Sequence, residues 1–293
     1  MGQFKDLKIN ILMLMAMLTW GLSWTNAKIV GQYADATLVM TWRFFFASLS
    51  MIPIMMIYKI NFRVGNDSLK LIFFNCIYMI SYNYFYFKGT QVGLAGLGGV
   101  LVTTLNPILT TLFASLFFHK KLLIKEIVGL LIGITGGALI MRFWEMEFPI
   151  LLLSGNLFFL LASLSWVAVT INTSQLSTKT SYITYSFWTY TFSFVICIIF
   201  GSNENILIIF EYDWLFWINL ISLSIFAMSF GTSIYFLASS KLGPTRASAY
   251  IYLVPMTAMG FAIYFLAEPL YFSTILGGAL GILAIYIINQ EKS

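Results

Sequence analysis

Charge is what this sequence has least of. Asp, Glu, Lys and Arg make up only 9% of its 293 residues, against roughly 25% in a typical soluble domain. A soluble enzyme of this length could not cover its surface with so few ionisable groups. Intrinsic disorder is excluded too, because it needs low hydrophobicity and 60% of this chain is hydrophobic. Histidine occurs once, as His119 beside Lys120 and Lys121, with no Cys, His or carboxylate adjacent in sequence, so no metal site is expected there. The two cysteines, Cys76 and Cys197, lie inside apolar runs and read as small apolar core residues. There is no HExxH zinc motif, and the Gly-rich stretch 93–99 opens an apolar helix with no strand before it. No cofactor is expected.

What is present is apolar length. A membrane-spanning helix needs about 20 apolar residues. Ten such runs occur, near 9–30, 37–58, 69–87, 94–118, 124–141, 149–171, 182–200, 214–237, 247–266 and 271–289. The opening MGQFKDLK reads as the lead-in to a full first span rather than a cleaved signal. Loops between the runs are too short for a soluble catalytic domain. Assigning them alternately to two sides places twelve of the 16 basic residues on the side of the N-terminus. Only Lys28, Lys88 and Arg142 fall on the other side, and Arg43 lies within a span. Basic residues concentrate on the cytoplasmic side, so both termini are expected in the cytoplasm and the chain in the cytoplasmic membrane. The net charge of +5 then reports orientation, and no nucleic-acid partner is expected. The partners are the lipid bilayer and a small-molecule substrate; a monomer is compatible with everything read here.

The halves of the chain resemble each other. Laying 107–134 on 255–282 pairs Pro107 with Pro255, Phe113 with Phe261, Leu122 with Leu270 and Gly133 with Gly281, among nine identities in 28 ungapped positions. The first spans of the halves pair Asn10 with Asn156, Trp20 with Trp166 and Asn26 with Asn172, and Gly93 pairs with Gly243 after a two-residue adjustment. Five spans per half is an odd number, so the second half must cross in the opposite sense. The expected fold is therefore all-α and integral to the membrane: ten transmembrane helices in two inverted five-helix repeats, 1–146 and 147–293. Such repeats build secondary transporters, with the solute site near the midplane and interrupted helices at matching positions pointing to it. Pro107 and Pro255 are that matching pair.

Side chains that could line a pathway follow from spacing. In the fourth span, three- and four-residue steps align Gly96, Gly99, Thr103, Asn106 and Thr110 on one face. The third span offers Asn75, Tyr78, Tyr82 and Tyr86, the first Trp20, Trp24 and Asn26, the sixth Trp166, the eighth Ser229 and the ninth Tyr252. Small and polar residues also serve plain helix packing, and aromatics the interfacial belt, but Trp20 and Trp166 sit well inside their spans. The candidate pathway is Trp20, Trp24, Asn26, Tyr78, Tyr82, Thr103, Asn106, Pro107, Trp166, Ser229, Tyr252 and Pro255. Its aromatic, hydroxyl and amide character suits an amphipathic solute. No acidic residue falls at mid-span, which argues against a carboxylate proton relay.

Several motifs carry a family resemblance: Trp20-Gly21 followed by Lys28, Arg43-Phe44-Phe45-Phe46-Ala47, Pro107, Pro255 with Ala267-Glu268-Pro269, and the glycine-spaced Gly129…Gly133…Gly136-Gly137 and Gly277-Gly278…Gly281. In order and duplication the chain resembles the drug/metabolite transporter superfamily, EamA-like branch, over essentially its whole length. The resemblance implies ten-helix carriers whose first four helices of each half surround a cavity, with the fifth and tenth peripheral. Such carriers move small metabolites, often amino acids and commonly outward. The halves depart from each other where Glu268 faces Lys120 and Arg43 faces Trp188 in the repeat register. Arg43 and Glu268 are read as gate or structural charges. Because Arg43 matches an Arg that the resemblance gives as family-wide, a structural tie to backbone carbonyls is favoured over an anion anchor. The expected function is secondary transport of amino acids or related amphipathic metabolites by alternating access, in the export direction. The alternatives are a lipid-head-group flippase-like carrier and, from another class, a membrane-embedded enzyme, against which the lone histidine and scarce buried carboxylates argue.

Overall fold

A computed structural model describes residues 2–93, 95–119, 121–140, 142–145, 155–177, 179–200, 205–266 and 271–290. They are helical throughout, with no β-strand among them. The helices are α1 (Gly2–Val30), α2 (Ala36–Ile57), α3 (Asn66–Val92), α4 (Ala95–Phe118), α5 (Ile124–Ile140), α6 (Asn156–Ser174), α7 (Tyr182–Phe200), α8 (Trp214–Leu242), α9 (Pro244–Ala249), α10 (Val254–Leu266) and α11 (Phe272–Asn289).

The ends follow local chemistry. The Asp35 carboxylate accepts from Leu38 N at 2.8 Å and starts α2, satisfying a donor that the first helical turn leaves open. Asp213 caps α8 in the same way through Leu215 N and Phe216 N. Glu126 reaches back to Leu123 N at 2.9 Å to start α5. α6 begins at Gly155, whose φ of +120° and approach to Gly93 (a Cβ there would lie 2.7 Å from Gly93 Cα) admit only glycine. Gly243, at φ +85°, separates α8 from α9, which opens on Pro244.

Seven helices among the described residues are long and apolar enough to cross a membrane: α1, α2, α4, α6, α7, α8 and α11. The others fall short for visible reasons. α3 is diluted by Asn, Asp, Lys and Tyr, α5 has 17 residues, and the 3-10 turn Tyr250–Leu253 divides α9 from α10.

The bundle exposes large apolar side chains and buries amides and hydroxyls within its apolar core, unlike a water-soluble protein. Asn75, Asn83 and Thr170 are fully buried, whereas Ile124 is 82% and Phe200 83% exposed. α5 packs along α11, α2 along α7, α3 along α6, and α1 against both α8 and α10. The α5–α11 seam is a backbone contact: a Cβ on Gly136 would lie 2.7 Å from Gly277 O, and one on Gly277 2.5 Å from Gly136 O.

Candidate solute-binding cavity

α4 carries Pro107 and α10 carries Pro255 one residue into the helix. Proline has no N–H, so the carbonyl four residues before it loses its helical partner. Those carbonyls belong to Thr103 and Ile251; that of Ile251 accepts instead from Val254 N at the end of the 3-10 turn. Both residues line one cavity, as do Asn106 and Val254, the residues preceding each proline. Trp20, Ser23, Trp24, Arg43, Tyr82, Tyr86, Val102, Trp166 and Thr232 complete its wall. The cavity volume is about 30 Å³, room for a water-sized molecule.

Eight of its thirteen wall residues correspond in pairs between the halves. Trp20 and Trp166, Thr103 and Ile251, and Asn106 and Val254 are mates in the sequence register, and carrying the Gly93–Gly243 register into α3 and α8 pairs Tyr82 with Thr232. Rings pack tightly there. Trp20 meets Trp166 edge-on at 5.0 Å, Tyr82 lies 4.6 Å from Trp166, and Trp24 lies 4.8 Å from Tyr86. Asn106 Oδ1 and Trp166 Nε1 are buried without hydrogen-bond partners.

α8 supplies an unusual neighbour. Its middle, Ser222–Thr232, is π-helical, a geometry usually confined to a single turn and frequent at functional sites. Side chains of three other helices donate to it. Trp20 Nε1 reaches Ala227 O at 2.9 Å, Arg43 Nε reaches Leu223 O at 3.3 Å, Tyr190 OH reaches Met228 O at 3.1 Å and Asn26 Nδ2 reaches Ser222 Oγ at 2.8 Å.

Arg43 is 5% exposed. Besides Leu223 O, it donates through Nη1 to Asn83 Oδ1 at 2.8 Å. Its guanidinium carbon lies 5.8 Å from the Tyr86 ring centre and 5.5 Å from that of Phe87, within cation–π range. The one ion pair among the described residues, Arg142 with Glu145, is elsewhere.

Of the residues singled out from the sequence, Trp20, Trp24, Tyr82, Thr103, Asn106 and Trp166 share this cavity with Arg43. Pro107 and Pro255 are buried just behind it. Asn26 points instead at Ser222. Ser229 is buried in the π-helical stretch without lining the cavity, and Thr232 faces it from that segment. Tyr78 stacks on Phe74 and lines a separate cavity of about 530 Å³ between α3, α4 and α6. Tyr252 packs between α5 and α11, where its ring fills the space beside Gly133. Glu268 lies outside the described residues. Tyr235 went unread in the sequence, although it touches Trp20 and Trp166 at 5.2 and 5.3 Å.

Hydrogen bonds tie the halves together toward both ends of the bundle. Tyr33 OH donates to Asp213 and Trp42 Nε1 to Ile206 O at one end. Tyr250 OH donates to Asn10 Oδ1 and Thr184 Oγ1 to Asn61 O toward the other. A wider cavity of about 630 Å³, lined by Thr111, Lys121, Glu126 and Arg246 among others, lies at the end that carries Lys121.

Comparison with known proteins agrees with this architecture. A solved crystal structure superposes at a TM-score of 0.75 with 14% identity over 96% of both chains, a likeness of fold. The chain is 23% identical to an uncharacterized transporter, YvbV, of Bacillus subtilis, over 100% of this chain and 95% of that one. It is 28% identical to an uncharacterized transporter, sll0355, of Synechocystis over 70% of this chain and 66% of that one. Similarity to the chloroplastic WAT1-related protein At3g02690 of Arabidopsis thaliana is 26%, over 69% of this chain and 50% of that one. The profile of the EamA-like transporter family matches residues 7–142 and again 153–290. The chain is a multi-pass membrane protein and belongs to the EamA-like transporter family.

Proposed function

We propose that this protein is a secondary transporter that moves small amphipathic metabolites, amino acids or related compounds, across the cytoplasmic membrane by alternating access, in the export direction. The carrying observation is the cavity whose wall contains four pairs of residues corresponding between the halves. A site on a pseudo-two-fold axis is what two inverted halves rocking about a fixed centre require.

In this reading α1 to α8, the α9–α10 pair and α11 make ten crossings, divided as 1–146 and 147–293. The packing supports it. α5 lies on its mate α11 and α2 on its mate α7, while the contact of α3 with α6 has its counterpart in that of α8 with α1. The family profile matching twice supports the same division. A centre with room for only a water-sized molecule, tied at both ends, corresponds to the occluded state of such a cycle. The excess of basic residues on the side of the N-terminus supports a cytoplasmic location for both termini.

Reconstituted protein loaded with labelled metabolites tests the reading. Saturable flux that Asn106→Ala and Trp20→Ala reduce, with folding and insertion intact, is expected. Normal flux in both variants would remove the cavity from the pathway.

A further inference from the structure

Arg43 lines the cavity without a counter-charge. No Asp or Glu shares that wall. Symmetry supplies none either, because its mate Trp188 lies away from the cavity and donates Nε1 to Phe62 O at 2.8 Å. Nε and Nη1 are engaged, but Nη2 makes no hydrogen bond among the described residues. The Tyr86 and Phe87 faces favour a cation without neutralising it. A buried charge costs free energy until it is paired and hydrogen-bonded. A guanidinium is shaped to take a carboxylate through two parallel N–H donors.

The rest of the wall narrows the class further. Asn106 Oδ1 is a neutral acceptor without a partner, so it does not neutralise Arg43. An ammonium group would find neutral acceptors and ring faces there but no carboxylate. The wider cavity at the Lys121 end carries two basic groups, Lys121 and Arg246, against Glu126, a balance that attracts anions.

Resting on the transporter reading, we infer that the solute is a small organic carboxylate of net negative charge with an apolar or aromatic body. Its carboxylate takes the free donors of Arg43, and its body lies against Trp20, Tyr82 and Trp166. Within the amphipathic class proposed above, this selects anionic acids over zwitterionic amino acids and over cations.

The test compares matched trios on two skeletons with the purified full-length protein: 3-phenylpropanoate, phenylalanine and 3-phenylpropanamide, then 4-methylpentanoate, leucine and 4-methylpentanamide. Binding is read by ligand-dependent thermal stabilisation and transport by counterflow in liposomes. The acid is expected to bind at least about tenfold more tightly than its zwitterion and amide, the scale of a charge-assisted hydrogen bond. Arg43→Gln should erase that preference, bringing acid binding down to the level of the amide in the same variant, and Arg43→Lys should keep its sign. If Arg43→Gln does not fold, the wild-type ranking decides, together with Asn106→Asp, which should weaken the acid selectively. Equal binding of acid and amide by the wild type, tighter binding of the zwitterion, or an acid preference that survives Arg43→Gln overturns the inference. Counterflow of uncharged or zwitterionic solutes alone overturns it and leaves the transporter reading standing. Absence of counterflow for the trios and for a broad metabolite panel removes both.

Discussion

The indoles of Trp20 and Trp166 meet edge to face, ring centres 5.0 Å apart and planes at 84°. They are sequence mates from the first helix of each half, and they close one side of the cavity together. Trp20 is further fixed by its hydrogen bond to Ala227 O in the π-helical stretch of α8. Trp20→Phe keeps a ring and loses that bond. We expect it to cost about 0.5–1.5 kcal/mol of stability and to lower flux less than Trp20→Ala does. Thermal unfolding in detergent and counterflow measured side by side check this. A Trp20→Phe variant with lower flux than Trp20→Ala would put the ring outside the pathway.

Asn106 is a different kind of test. Its Oδ1 is buried with no partner, so the residue gives little to the fold through that atom. Asn106→Ala should therefore leave the unfolding temperature within the range of a surface substitution, about 0.5 kcal/mol, while lowering solute affinity at least about tenfold. A large loss of stability with unchanged affinity would make Asn106 a packing residue.

These positions show how much the sequence could tell. Trp20, Trp166, Thr103 and Asn106 were legible because they are aromatic or polar where lipid-facing residues should be apolar, and all four correspond to cavity residues in the other half. Other positions depended on helix rotation, which spacing does not fix. Tyr252 turns toward Gly133 and Gly281, which leave space for it, while its neighbour Ile251 faces the cavity. Ser229 was projected on α-helical steps, but Ser222–Thr232 is π-helical. Its wider turn shifts the projection, and Thr232 occupies the wall. Arg43 was legible as an in-span charge. The backbone tie to Leu223 expected of it is present, but its place on the cavity wall needed the packing of α2 against α3 and α8.

The α5–α11 seam makes a stability prediction. Each of Gly136 and Gly277 would press a Cβ into the other's backbone carbonyl, at 2.7 and 2.5 Å, and backbone cannot step aside as a side chain can. Gly136→Ala or Gly277→Ala should destabilise by about 1–3 kcal/mol. Gly260→Ala, where nothing lies within 4 Å of the added carbon, should be neutral or stabilising. Equal unfolding temperatures for all three variants would deny the close approach.

Sidedness is open to labelling. Cys76 and Cys197 are buried, so background reaction of the native thiols should be low. Lys121→Cys should react with an impermeant maleimide only from the cytoplasmic side, and Gln32→Cys only from the outside. The reverse pattern would invert the proposed orientation, and labelling of both from one side would break the alternation of crossings.

The central claim is that the cavity between the two halves is where the solute sits. Its most direct measurement is saturable counterflow in proteoliposomes, run on the wild type and on Trp166→Ala and Asn106→Ala variants that unfold at wild-type temperatures. The account predicts protein-dependent flux in the wild type and at least about tenfold loss of apparent affinity in both variants, the cost of about 1.4 kcal/mol of lost contact. Wild-type affinity and flux in both variants would contradict it.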